Sequence, residues 1–299
     1  MKFDNCRFNP GVVFPSFLMV LPVLWLGACA NMGEPAIVSS AGTLTATQIT
    51  QIVASPDRSE VDRTNDLRRK PEQMLAFLGI RPGMLALDLS AAGGYTTELL
   101  ARAVGLSGRV VGQSEPPRGA DSPARPVVAP EGNAAPSAAP ATISAPAMPV
   151  VRRTSAQALA ERAKNPTVAN IVAAVQPFEA PVPPELVGKL DLTTLMFNYH
   201  DLGHMGVDRA RMNRAVFAGL KSGGIYVIAD HSGRPGTGIS EAGTLHRIEE
   251  AFLRQEVEAA GFKFAAQGNF MRNPSDPRDK NTPNPPQPKD EFVLKFVKP

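Results

Sequence analysis

Residues 85–105 read LALDLSAAGGYTTELLARAVG, and the fold is decided by how this stretch is parsed. MLALDL is a short apolar run ending in an acid, the pattern of a buried strand. SAAGG is a turn of small residues, and YTTELLARAV places its apolar side chains on one helical face. A strand, a small-residue turn and a helix together make the kind of loop that cradles a nucleotide-like cofactor at a helix N-terminus.

The periodicities continue to alternate downstream. GRVVGQ is a second strand, and SAQALAERAK is a helix. TVANIVAAV is a strand, PPELVGKL a short helix or turn, and DLTTLMFN another strand. DRARMNRAVFAGLK is an amphipathic helix, and GGIYVIAD is a strand. SEAGTLHRIEEAFLRQEVEAAG reads as the longest helix, with Ser240 as N-cap and Gly261 as C-cap. FKFAAQGNF and DEFVLKFV are the last strands, separated by the Pro-rich loop from Arg272 to Asp290, so these two must be antiparallel. Alternating strands and helices predict a mainly parallel seven-stranded sheet with an antiparallel last strand and helices on both faces, an α/β Rossmann-like architecture. Upstream, Arg58–Ile80 reads as a helix leading into the first strand, with Pro71 suited to a first helical turn and Gly79 near the end.

The chain has 299 residues, 43% hydrophobic and 20% charged, which fits one globular domain with appendages. Net charge is +3; Lys2, Arg7 and Asp4 contribute +1 of this within the first 28 residues, leaving +2 for the rest. No polybasic run exists, so nucleic acid is not expected as a partner. The segment from Glu115 to Val150 is rich in Ala, Pro and Ser without an aromatic residue and reads as a disordered insertion at about 115–150.

At the N-terminus, Lys2 and Arg7 precede the short apolar run GVVFPSFLMVLPVLWLGA, broken by Pro15 and Pro22 and ending in LGAC at Leu26–Cys29. This is the pattern of an export signal rather than a retained span. LGAC resembles the lipobox of bacterial lipoproteins, which implies cleavage of residues 1–28, lipidation of Cys29 and a periplasmic, membrane-anchored product. Residues 29–56 then form a flexible tether and residues 57–299 the domain. Cys6 leaves with the signal, so the remaining domain has no thiol for catalysis, metal binding or a disulfide.

The order of elements from about Arg58 to Pro299 resembles the class I S-adenosylmethionine-dependent methyltransferases. RKPEQMLAFLGIRPGMLALDL, GGYTTELLARAV, FNYHDL, ADHSG and TLHRIEEAFLRQEVEAAGF are similar to predicted exported methyltransferases of proteobacteria. The resemblance implies S-adenosylmethionine as cofactor and transfer of a methyl group to a small-molecule acceptor. The family motif DxGxGxG falls on Asp88, Ser90, Ala92 and Gly94, with Gly93 between the last two. Two glycines are thus replaced by the next smallest side chains, which impairs close backbone approach. The acid that accepts ribose hydroxyls at the end of the second strand is replaced by Gln113, whose carbonyl oxygen offers one uncharged acceptor; either Gln113, which continues the strand, takes that role or Glu115, two residues beyond, swings in.

Residues following the strands gather at one rim of such a sheet. Asp88, Ser90, Ala92, Gly93, Gly94, Tyr95, Gln113, Asn198 and Tyr199 are therefore expected at the cofactor, with Tyr95 and Tyr199 walling its pocket or covering the sheet edge. His200 or His231, oriented by Asp201 or Asp230, is expected to serve as a general base of near-neutral pKa. His200, His204, His231 and a carboxylate are also metal-ligand types, but a four-residue spacing needs a helix while Gly203 argues for a loop, so no metal is assigned. The plainest alternative makes these residues polar groups that satisfy loop backbone. A non-catalytic ligand-binding lipoprotein on the same fold is the competing functional class.

Overall fold

The computed structural model describes residues 42–117, 153–281 and 289–299. The segment read as an export signal, Cys29 and most of the Ala/Pro-rich insertion lie outside these residues. Helices α1 (Ala46–Val53), α2 (Glu60–Arg69) and α3 (Pro71–Leu78) precede strand β1 (Leu85–Leu89). The chain continues through α4 (Tyr95–Val104), β2 (Arg109–Ser114), α5 (Ser155–Arg162), β3 (Ile171–Val175) and β4 (Leu190–Met196). It ends with α6 (Tyr199–His204), α7 (Arg209–Gly219), β5 (Leu220–His231), α8 (Ala242–Leu245), α9 (Glu250–Ala259), β6 (Lys263–Gly268) and β7 (Glu291–Val297).

The strands form one seven-stranded sheet in the order β3-β2-β1-β4-β5-β7-β6. β7 is antiparallel to both of its neighbours, and the remaining pairings are parallel. Period-2 alternation sorts the strand residues into two layers. Ala86, Val227, Ala229 and Val293 face a core shared with α1, α3, α4 and α5. Leu87, Leu89, Tyr226, Ile228, Phe292, Leu294 and Phe296 face the opposite core, shared with α6, α7 and α9. Each such fully buried large side chain contributes about 1.5–3 kcal/mol through removal of apolar area from water.

Three expectations are corrected. Residues 46–53, assigned to a flexible tether, form α1: Thr45 and Gln48 make a reciprocal capping box, and Ile49 is buried. The helix is short, and one stripe of apolar contacts on α3 and α4 is enough to anchor it. The long helix from Ser240 to Gly261 is broken, because His246 takes a left-handed backbone (φ 51°) and Ser232 and Ile248 form a parallel bridge there. Glu249, not Ser240, is the N-cap of α9, and Ala260 rather than Gly261 is its C-cap. Third, the His200–His204 segment is helical. Gly203 permits close packing rather than a loop: a Cβ there would collide with the Ile239 side chain.

Candidate functional site

The β1–α4 loop keeps the shape of a glycine-rich turn without the glycines. Ser90, Ala92 and Gly94 have φ of 57°, 46° and 85°, so all three positions of the DxGxGxG pattern lie in the left-handed region. An L-residue there costs about 1–2 kcal/mol. Gly93 has no positive φ, and a Cβ on it would meet nothing within 4 Å. The glycine that looks like an insertion is thus the one that the backbone does not need.

A set of hydrogen bonds holds the strained loop. Gln113 C=O accepts from Ala91 N–H (2.9 Å), and its side-chain Oε1 accepts from Ser90 N–H (2.9 Å). Its Nε2 donates to Gln176 C=O at 2.6 Å. Gln113 is fully buried and clasps the β1 loop to the end of β3, so the expected role as a ribose acceptor gives way to a bracing one. Asp88 is likewise internal: Oδ2 accepts from Thr97 Oγ1 (2.6 Å) and Oδ1 from Thr194 Oγ1 (2.8 Å). Burial outweighs these bonds and lifts its pKa to about 6. From outside, Arg162 on α5 donates to Gly93 C=O at 2.6 Å and pairs with Asp62 and Glu98. Gly94 admits this contact, since a Cβ there would meet Arg162 Cδ at 2.8 Å.

Beyond the carboxyl ends of β1, β2, β3 and β4 lies an open cavity of about 490 Å³, within the usual range for small-ligand sites. Ser90, Ala92, Gln113 and Asn198 line it as expected. Asn198 Nδ2 donates to Ser90 Oγ and ties the β4 end to the loop. Glu115, the alternative to Gln113 at the ribose, lines it too, and Ser114, Ser155, Phe178 and Met205 line it without having been expected as site residues. For Phe178 the available signal was position, since it lies just past the carboxyl end of β3.

The two tyrosines do not wall this cavity. Tyr95 OH donates to Asp66 Oδ1 (2.8 Å) on α2, with the Arg58 guanidinium 6.0 Å from its ring centre. Tyr199 is buried under α7 and α9, its OH donating to Glu256 Oε2 (2.9 Å) and accepting from Asn213 Nδ2 (2.8 Å). Helical geometry is the reason: each tyrosine opens a helix and points along a packed face. Gly93 and Gly94 are not among the residues that line it.

His200, Asp201 and His231 are also set apart from the cavity lining. Asp230 organises them: its Oδ2 accepts from His200 N–H (2.8 Å) and its Oδ1 from His231 N–H (2.8 Å), while His200 Nδ1 lies 2.6 Å from Oδ1. Burial disfavours a charge on His200, but the Asp230 and Asp201 carboxylates overcome this and raise its pKa to about 10. His200 therefore carries its proton at neutral pH and is not the expected near-neutral base. His231 is buried as well, its ring 3.0 Å from Glu291 Oε1. Beside His231, ring centres 5.5 Å apart, stands Phe197, a bulky residue at φ 61°, with the Arg69 guanidinium 4.0 Å from its ring centre. Such a backbone persists only where the surroundings over-determine it.

No protein-family model matches the chain, and no curated protein sequence does. Solved structures do. One is a SAM-dependent methyltransferase from Aquifex aeolicus, with a TM-score of 0.50 and 14% identity, covering 85% of this chain and 98% of that one. A second belongs to the complex between the Haloferax volcanii Trm112 methyltransferase activator and a methyltransferase, at TM-score 0.49 and 14% identity, with 80% and 92% covered. A third is the [4+2]-cyclase SpnF, at TM-score 0.49 and 15% identity, with 80% of each chain covered. Likeness at these identities concerns architecture. The strand order and the Aquifex likeness agree: the chain has the Rossmann-like fold of class I S-adenosylmethionine-dependent methyltransferases.

Proposed function

We propose that the 490 Å³ cavity binds S-adenosylmethionine and that the chain transfers its methyl group to a small-molecule acceptor. The observation that carries this reading is the loop at Ser90, Ala92 and Gly94, which holds the left-handed backbone of a glycine-rich cofactor loop although two of its glycines are gone. Strain of that kind is kept where a function needs the shape. The residues present fit the cofactor in part. Ser90, Ala92 and Asn198 would contact it at the loop and the β4 end, and the half-buried Glu115 takes over the ribose from Gln113, whose carboxamide is engaged at both ends.

The bound cofactor would supply an electrophilic methyl group. The chain would orient the acceptor against Phe178 and Met205, which also line the cavity, and most of the rate would come from positioning. His200 and His231 are held elsewhere, and among the described lining residues Glu115 is the single titratable side chain. That last fact favours a second reading, a ligand-binding protein that retains the fold without catalysis. We further infer from LGAC that Cys29 carries a lipid and holds the domain at a periplasmic membrane face.

Calorimetric titration of S-adenosylmethionine and S-adenosylhomocysteine into the full-length protein tests the cofactor. Saturable heat that diminishes in Glu115→Ala is expected; no heat at millimolar ligand overturns the reading. Binding without production of S-adenosylhomocysteine across a panel of small acceptors would select the non-catalytic alternative. Cys29→Ser protein that still sediments with membranes would refute the anchor.

A further inference from the structure

The strongest unassigned feature is a group of ligand-type side chains on the α6 side of the sheet. His200, Asp201 and His246 each offer one atom, and these atoms all lie within 4.8 Å of one another. His200 Nε2 and His246 Nδ1 each stand 3.1 Å from Asp201 Oδ1. His200 is fully buried, and its Nε2 meets the Asp201 carboxylate at 3.1 Å as an ion pair without forming a regular hydrogen bond. A buried ring nitrogen left without a hydrogen bond is rare and calls for an explanation.

We propose that these three side chains form a binding site for a divalent transition metal of the zinc class. Two imidazole nitrogens and one carboxylate oxygen are the donor set that such ions take, and three protein ligands leave a fourth position for water. The surrounding groups fit the role. His200 Nδ1 is held by Asp230 Oδ1 at 2.6 Å, the carboxylate–histidine contact that fixes a ligating imidazole with its other nitrogen toward the metal. His200 and Asp201 are adjacent in the first turn of α6, and His246 occupies the left-handed break between α8 and α9. That break turns its ring toward α6, with ring centres of His200 and His246 5.6 Å apart.

The His246 side chain is 12% exposed and provides the route from solvent. Binding of Zn²⁺ would displace the proton on His200 Nε2, which is released to solvent. Helix α6 and the chain break before α9 would then be joined by a metal clip in addition to their packing. The site does not involve the 490 Å³ cavity lining and stands independently of the methyl-transfer reading.

The test uses full-length protein stripped with a chelator. Zn²⁺ titrated by calorimetry is expected to bind at one equivalent and to raise the melting temperature, and Co²⁺ to give intense visible d–d absorption of a four-coordinate site. His246→Ala and Asp201→Asn should weaken Zn²⁺ binding by at least about tenfold. His204→Ala, on the same helix but outside the cluster, should leave it unchanged. Binding far below one equivalent, or an affinity in His246→Ala equal to that of the unaltered chain, overturns the proposal. If a variant fails to fold by circular dichroism, the unaltered chain decides: only weak, six-coordinate Co²⁺ absorption also overturns it. Titration of S-adenosylmethionine in the same samples should be indifferent to His246→Ala, which separates this outcome from that of the proposed function.

Discussion

Replacing Ala92 by glycine should make the protein more stable, against the usual direction of such a change. Ala92 has φ 46° and is exposed, so its methyl group contributes little packing while its Cβ crowds the backbone. Releasing a left-handed alanine returns about 1–2 kcal/mol. The freer glycine costs about 0.4–1 kcal/mol through the unfolded chain. The difference is a net gain of about 1 kcal/mol, or about 2–4 °C in melting temperature for a domain of this size. Gly93→Ala is the complementary variant, with no positive φ and no atom within 4 Å of the new Cβ, and it should gain about 0.4–1 kcal/mol. Gly94→Ala combines φ 85° with a 2.8 Å approach to Arg162 Cδ and Leu159 Cδ2 and should lose stability. Urea denaturation of the three variants reads all of this. Destabilisation in both Ala92→Gly and Gly93→Ala would mean that the left-handed positions are assigned to the wrong residues, and the reasoning about the loop would fail with them.

In metal-free protein, the raised pKa of His200, about 10 against 6.5 in the unfolded chain, supplies stability that is complete below pH 6.5 and is lost as pH rises toward 10. The decline is on the order of a few kcal/mol, and His200→Gln should flatten it in denaturation at pH 6, 8 and 10; equal slopes in the two proteins would remove His200 as its source. Gln113→Ala leaves the Ser90 N–H without its side-chain acceptor and should cost about 1–3 kcal/mol. A change below about 0.5 kcal/mol, typical of a surface substitution, would show that Gln113 does not brace the loop. Arg247 is fully buried against Asp276 at 2.8 Å, with further bonds to Ser232 C=O and Lys280 C=O. Arg247→Met should therefore cost about 3–5 kcal/mol by stranding the carboxylate, and calorimetric melting should show recovery when Asp276→Asn is added.

Asp230 connects the separate parts of this face. It caps the N–H groups of His200 and His231 and orients the His200 ring, so one side chain at the end of β5 sets the start of α6. α6 in turn ends at Met205, on the wall of the cavity. A change that loosens Asp230 should be felt at both the proposed metal ligands and the cavity.

The succession of strands and helices was legible in the sequence because periods of 2 and 3.6 are local properties: MLALDL, YTTELLARAV and GRVVGQ became β1, α4 and β2 to within a residue at either end. The antiparallel β6–β7 pair followed from a loop too poor in helix to allow a parallel crossover. So did the rim, since Ser90, Ala92, Gln113 and Asn198 do line one cavity beyond the strand ends. Side-chain direction was not legible. Tyr95 and Tyr199 follow strands as rim residues should, yet each points into a helix interface, because the first helical turn rotates successive side chains by about 100°. Likewise the charge of His200 depends on Asp230, thirty residues away in sequence and 2.6 Å away in space. Gly203 and Gly93 show the same division from the backbone side. Composition marks where a glycine stands; only the packed structure decides whether Ile239 needs the room at the first, and that the left-handed turns fall on Ser90 and Ala92 rather than on the second.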